Sequence, residues 1–233
     1  VTDKTPLALL PGLLLDASFW KHQVAALGEE ADIWVADFTN QDSVGEMAES
    51  VLAAMPPRFA LCGLSMGGYV AQEVMRRAPE RVERLALLDT KARPDDAAAT
   101  ARRRGLIELA QKGEFKGVTP RLLPLLIHES RLEDEALTGH ILAMAEAIGR
   151  DAFLRQQKAI LDRPDFRPLL AQIRCPTLVL CGRQDQLTPV DAHLEMAAGI
   201  ADARLVVLDD CGHLPPLELP ERTNSELRRW LAA

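Results

Sequence analysis

Phe59-Ala60-Leu61-Cys62-Gly63-Leu64-Ser65-Met66-Gly67-Gly68 is the stretch on which the fold is decided. Phe59–Cys62 is an apolar run with the character of a buried strand. Met66–Ala78 carries helical spacing through Val70, Val74 and Met75 and stops at Pro79. Almost no loop separates the two, so the chain must turn sharply at Ser65. Such a turn needs small residues two places on either side, because the backbone doubles back on itself, and Gly63 and Gly67 stand there. Composition alone would yield about 0.02 Gly-x-Ser-x-Gly pentapeptides in a chain with 14 glycines. The turn lifts the serine hydroxyl out of a sheet. It also places it at a helix N-terminus, where free N–H groups favour a developing anion.

Working outward, five more short apolar runs share the character of Phe59–Cys62: Leu7–Leu10, Ile33–Ala36, Leu85–Leu88, Thr177–Cys181 and Leu205–Leu208. They lack polar alternation, as strands covered on both faces should. Helical patterns separate the first four, through His22, Met47 and Val70 in turn. This alternation predicts an α/β fold with a mostly parallel, doubly wound sheet of about six strands. The rhythm breaks between Leu88 and Thr177, where Asp95–Lys112, Glu133–Ile148 and Asp151–Leu161 read as helices. Residues 95–164 are therefore expected to form a helical cap inserted into a core of residues 1–94 and 165–233. The insertion follows the fourth strand at its carboxyl edge, where such sheets bind ligands.

Composition excludes several functions. The net charge of −7 argues against a nucleic-acid partner, and 4% aromatic residues are too few for a stacking surface. No apolar run approaches the length of a membrane span, and no basic-then-apolar leader opens the sequence, although Val1 rather than Met leaves a trimmed leader open. The four cysteines form no Cys-x-x-Cys pair and read as free thiols, buried at Cys62 and Cys181. A reducing cytoplasm is the expected location. No phosphate-cradling glycine loop follows a strand and no His/Cys/Glu spacing suggests a metal, so neither cofactor nor metal is expected. Nothing in the sequence sets an oligomeric state.

A serine hydroxyl needs a base, and the base an orienting acid. His213, in Cys211-Gly212-His213, follows the last strand and so reaches the same rim as Ser65. His22 and His193 read as helix-face residues; His128 and His140 belong to the insertion. Asp185, after Thr177–Cys181, is the candidate acid, with Thr188 the expected N-cap of a helix that Pro189 starts. Asp89, at the end of the fourth strand, is its rival, while Asp209 and Asp210 read as turn residues. The oxyanion donors are expected to be the backbone N–H groups of Met66 and Leu13, with Gly12 allowing close approach. The side chains of Leu13 and Met66 would line the acyl pocket, and Lys91 is a candidate substrate contact. Arg102-Arg103-Arg104 reads as a solvated face.

These residues resemble the α/β-hydrolase superfamily, in particular its small capped esterase and lactonase-like members. The resemblance runs through Leu7–Gly12, Gly63–Gly68, Cys175–Asp185, Gly212-His213 and the closing helix to Trp230. It implies a Ser65–His213–Asp185 triad, an acyl-enzyme, and strand order 2-1-3-4-5-6. Two departures stand out: Pro11-Gly12 replaces the family's frequent His-Gly, and only six residues precede Leu7, so the usual leading hairpin is expected to be missing. The expected activity is hydrolysis of a small-molecule carboxylic ester, lactone or thioester. The alternatives are carbon–carbon bond or enol-lactone hydrolysis, perhydrolysis of the haloperoxidase type, acyl transfer, and a non-catalytic ligand receptor on the same fold.

Overall fold

In the computed structural model, which describes residues 4–233, the six apolar runs become one six-stranded sheet. β1 (Thr5–Leu10), β2 (Ala31–Val35), β3 (Phe59–Leu64), β4 (Val82–Leu88), β5 (Thr177–Gly182) and β6 (Ala203–Leu208) all pair in parallel. Their order is β2-β1-β3-β4-β5-β6, the one expected. Several strands outrun their apolar stretches. β4 begins at Val82 rather than Leu85, and β6 at Ala203 rather than Leu205. Ladder hydrogen bonds are made by the backbone and continue through Arg84, opposite Ala60, and Arg204, opposite Leu178. β2 stops at Val35, just short of Ala36.

Alternate side chains along each strand feed two cores. Ala8 and Leu10 of β1, Leu61 of β3 and Val179 of β5 join one; Leu7, Leu9, Cys62 and Leu180 join the other. The first core is closed by α2 (Val44–Ala54), α3 (Met66–Arg77) and α8 (Val190–Gly199), through Met47, Val51, Val70, Val74 and Met196. The second is closed by α1 (Lys21–Leu27), α9 (Pro215–Glu218) and α10 (Pro220–Ala232), through Leu27, Leu217, Leu227 and Trp230. Phe19 and Trp20 precede α1 in a 3₁₀ turn, wholly buried and edge-to-face at 4.8 Å.

Between β4 and β5 lie α4 (Ala97–Gln111), α5 (Leu123–Leu126), α6 (Glu135–Leu161) and α7 (Arg167–Leu170). α4 starts later than Asp95 because Asp96 caps it, accepting the Ala99 N–H, while Asp95 turns to other partners. In the same way Asp134 caps α6 through the Leu137 N–H, so Glu133 stays outside. The two helices expected over 133–161 run on as α6, broken only at Gly149 (φ 76°, ψ 177°), a backbone conformation closed to most side chains. α5 and its flanking 3₁₀ turns have no counterpart in the sequence reading, because Leu122–Leu126 is too short to show a helical period.

The segment between β4 and β5 bonds to loops at the carboxyl ends of the strands. Beyond β1, the Leu14 N–H donates to Gln156 Oε1 (3.0 Å), whose amide donates to the Phe38 carbonyl beyond β2 (3.2 Å). Beyond β5, Gln186 donates to the Pro124 carbonyl (2.9 Å); beyond β6, the His213 N–H donates to the Leu126 carbonyl (2.9 Å). Among the described residues, no helix is long and apolar enough to cross a membrane.

Two glycines give the packing a direct test. A Cβ on Gly67 would sit 2.1 Å from the Leu10 carbonyl oxygen, whereas one on Gly105, mid-helix in α4, would meet nothing within 4 Å. Urea unfolding should show Gly67→Ala losing about 3 kcal/mol or more. Gly105→Ala should gain about 0.5–1 kcal/mol.

Candidate active site

Ser65 has φ 53° and ψ −113°, outside the conformations a serine prefers. Gly63 and Gly67 meet inside this turn: a Cβ on Gly63 would lie 2.3 Å from the Gly67 carbonyl oxygen. Backbone bonds lock the strained residue. Its N–H donates to the Leu88 carbonyl (3.0 Å), and its carbonyl accepts from the Gly68 N–H (3.0 Å) and the Thr90 hydroxyl (2.8 Å). Its side chain does not cap α3, and among the described residues its hydroxyl has no hydrogen-bond partner. The β1 loop approaches closely, since a Cβ on Gly12 would come within 3.3 Å of Ser65 Cβ. Leu14, at φ 60°, sends its N–H away to Gln156. The N–H groups of Leu13 and Met66, the latter the first residue of α3, have no acceptor among the described residues.

Asp185 and His213 are both buried and meet at 2.8 Å, Oδ2 to Nδ1. A carboxylate only accepts, so Nδ1 carries the proton and Nε2 is left as the basic nitrogen. Burial alone would raise the Asp185 carboxyl. The charge and hydrogen bond of His213 and the bonds from Thr188 outweigh it and hold the group at about 2. Thr188 is therefore not the expected helix cap. Its hydroxyl donates to Asp185 Oδ2 and its N–H to Oδ1, and Pro189 stands at the N-cap of α8 instead. Asp185 offered an acceptor already desolvated and charged, a better partner than the first turn of a helix.

Asp89 lies behind this pair, at φ 40°. Its Oδ1 accepts the Gly182 N–H (2.9 Å), and among the described residues its buried Oδ2 has no partner. Oxygens of Asp89 and Asp185 and a ring nitrogen of His213 lie within 4.8 Å of one another. Burial, then the Asp185 charge, pushes the Asp89 carboxyl well above the usual carboxylate range. The structure thus pairs Asp185, not its rival, with the imidazole. Asp209 pairs with Arg183, and Asp210 adopts φ 57° in the turn before His213.

Other candidates fall elsewhere. Lys91 donates to Asp95 (3.0 Å), which also binds Arg103 (2.9 Å) and Arg163 (2.8 Å), so one carboxylate is shared among three cations in a partly buried cluster. Arg103 consequently departs from the solvated face expected for residues 102–104 and reaches Gln157 as well (2.6 Å). Cys62, Cys175, Cys181 and Cys211 are free, and burial pushes each thiol up, away from the reactive thiolate. Sequence reasoning missed Thr90, which braces the Ser65 carbonyl, and Glu218, which accepts N–H groups on both sides of His213. Small polar residues beside a strand end gave the only hint of the first.

The sequence matches the alpha/beta hydrolase family over residues 7–226, and the chain belongs to that family. It is 29% identical to the pimeloyl-[acyl-carrier protein] methyl ester esterase of Nitrosomonas europaea, over 93% of this chain and 91% of that one. It resembles the structure of a thermophilic esterase from Thermogutta terrifontis (TM-score 0.88, 31% identity, 98% of this chain and 89% of that one). It also resembles the enol-lactonase from Burkholderia xenovorans LB400 (TM-score 0.90, 25% identity, 99% and 92%). The chain is a hydrolase.

His193, on the buried face of α8, accepts the Thr90 N–H at Nε2 (3.0 Å), and burial lowers its pKa from 6.5 to about 4. The unfolded chain therefore takes up this proton first, and stability present at pH 7 is lost as the pH falls from 6.5 toward 4. Thermal and urea melts should show a loss of about 2 kcal/mol between pH 7 and pH 5 that is absent from His193→Gln, which keeps an acceptor for Thr90. An equal loss in the variant would contradict the assignment.

Proposed function

We propose that this chain is a serine hydrolase of small carboxylic esters, lactones or thioesters. One observation carries the reading: a buried Asp185–His213 pair shares the carboxyl rim of the sheet with a serine held on a strained strand-to-helix turn. In this mechanism Ser65 Oγ attacks the substrate carbonyl and its proton passes to His213 Nε2. Asp185 fixes the imidazole tautomer and stabilises the imidazolium. The carbonyl oxygen becomes an oxyanion facing the Leu13 and Met66 N–H groups. One such donor is worth about 3 kcal/mol of barrier. His213 then protonates the leaving alkoxide or thiolate, and water, deprotonated by His213, releases the acid from Ser65. Among the described residues neither Ser65 Oγ nor His213 Nε2 has a hydrogen-bond partner, and catalytic hydrogen bonds of this kind tighten in the complex with substrate.

Residues 95–164 act as a cap over this rim, contacting the loops beyond β1, β2, β5 and β6. The side chains of Leu13 and Met66 line the acyl side, and Lys91 serves within the Asp95 cluster. The likeness to an esterase and to an enol-lactonase favours open and cyclic esters alike, since both pass through the same tetrahedral intermediate.

Intact mass after fluorophosphonate treatment, beside p-nitrophenyl butyrate turnover, tests the proposal. Wild type should gain one adduct and turn over ester. Ser65→Ala should take no adduct and lose at least about 10³-fold in kcat. An adduct on Ser65→Ala, or turnover that survives the substitution, would overturn the assignment.

A further inference from the structure

Glu218, the last residue of α9, is 1% exposed and lies outside the reaction proposed above. Its carboxylate gathers backbone donors from two parts of the chain. It accepts the Gly212 N–H with both oxygens (3.1 Å each) and the Leu214 N–H (3.0 Å), the residues on either side of His213. It also accepts the His128 N–H from the insertion (2.7 Å), the shortest of the set. Two further contacts join the same pieces: the His213 N–H donates to the Leu126 carbonyl (2.9 Å), and Arg131 donates to the Glu218 carbonyl (2.7 Å). Gly212 lies flat against this segment, and a Cβ there would meet Ile127 backbone at 2.8 Å. A solvated glutamate would serve none of these N–H groups. A buried one is costly to place unless it collects several donors.

We infer that Glu218 is a positioning residue, a buried clamp that binds the His213 loop and the 126–128 segment of the insertion to one carboxylate, so that His213 is correctly placed only while that segment is seated. The inference rests on the role given to His213 above. It makes seating of the insertion a condition for catalysis rather than only a cover for the pocket. A displacement of about 1 Å at a catalytic group can cost on the order of a hundredfold in rate, so loss of one clamp bond can register in kcat.

The test uses the full chain and separates backbone from side chain. His128 has φ −61°, and Ile127 before it is extended (φ −131°, ψ 157°), both compatible with proline at 128. His128→Pro removes the N–H that Glu218 accepts; His128→Ala keeps it and is the reference. Relative to His128→Ala, His128→Pro should lose on the order of tenfold in kcat, with KM for p-nitrophenyl butyrate within about twofold. Glu218→Gln preserves shape but presents an amide to one of these donors, and should show the same split against wild type. In both variants the far-downfield proton resonance of the His213–Asp185 bond should shift or broaden. If kcat and that resonance stay the same while only thermal stability falls, Glu218 is merely structural and the inference is wrong. A wild-type chain that takes no fluorophosphonate would instead refute the serine-hydrolase reading, and the resonance would still decide the role of Glu218.

Discussion

A serine held at φ 53°, ψ −113° is sustained only by what packs around it, and most of the rim is arranged by that one constraint. Such a conformation costs about 1–3 kcal/mol and persists when its surroundings over-determine it. Here Gly67 lets α3 start against the Leu10 carbonyl, Gly68 sits against Thr90, and Thr90 returns a hydrogen bond to the Ser65 carbonyl. His193 accepts the Thr90 N–H from the far side. The elbow is therefore held by contacts with the end of β1, the residue pair after β4, and α8. What it yields is a half-buried hydroxyl at the head of a helix, beside the free N–H of Met66.

The second dependency is parallel pairing. Because every strand runs the same way, the loops after β1, β3, β4, β5 and β6 all open on one edge, and Gly12, Ser65, Asp89, Asp185 and His213 arrive there from distant parts of the chain. Gly182 shows how tightly two of these loops meet: a Cβ there would lie within 2.5 Å of the Cys211 carbonyl oxygen. The segment between β4 and β5 reaches the same edge through hydrogen bonds to backbone carbonyls and amides as well as through apolar contacts. The Asp95–Arg163 pair, with Arg163 stacked 4.2 Å over the Tyr69 ring, ties its base to α3.

Much of this was legible in the sequence, for a physical reason. Strands covered on both faces must be continuously apolar, so the six runs and the fold class could be read directly, while the sheet order followed only from the family resemblance. So could the break in α6, since Gly149 separates two periodic stretches. What could not be read depends on burial brought about by distant residues. Thr188 looks like a helix cap until Asp185 is placed beside it, and Arg103 looks solvated until Asp95 turns inward. Glu218 looks like an ordinary glutamate between prolines until the His213 loop folds over it. Short elements such as α5 escape as well, because four residues cannot display a period. For the site, the sequence placed Ser65, Asp185 and His213 at strand ends. The Asp185–His213 contact and the role of Thr188 required coordinates.

The central claim is that the β1 loop and the head of α3 together form the oxyanion site beside Ser65. A crystal structure of the chain phosphonylated by a fluorophosphonate tests it most directly. The account predicts phosphorus on Ser65 Oγ, with one phosphonyl oxygen about 2.7–3.1 Å from both the Leu13 and Met66 nitrogens. A phosphonyl oxygen turned to solvent, with those two N–H groups still unpaired, would contradict it.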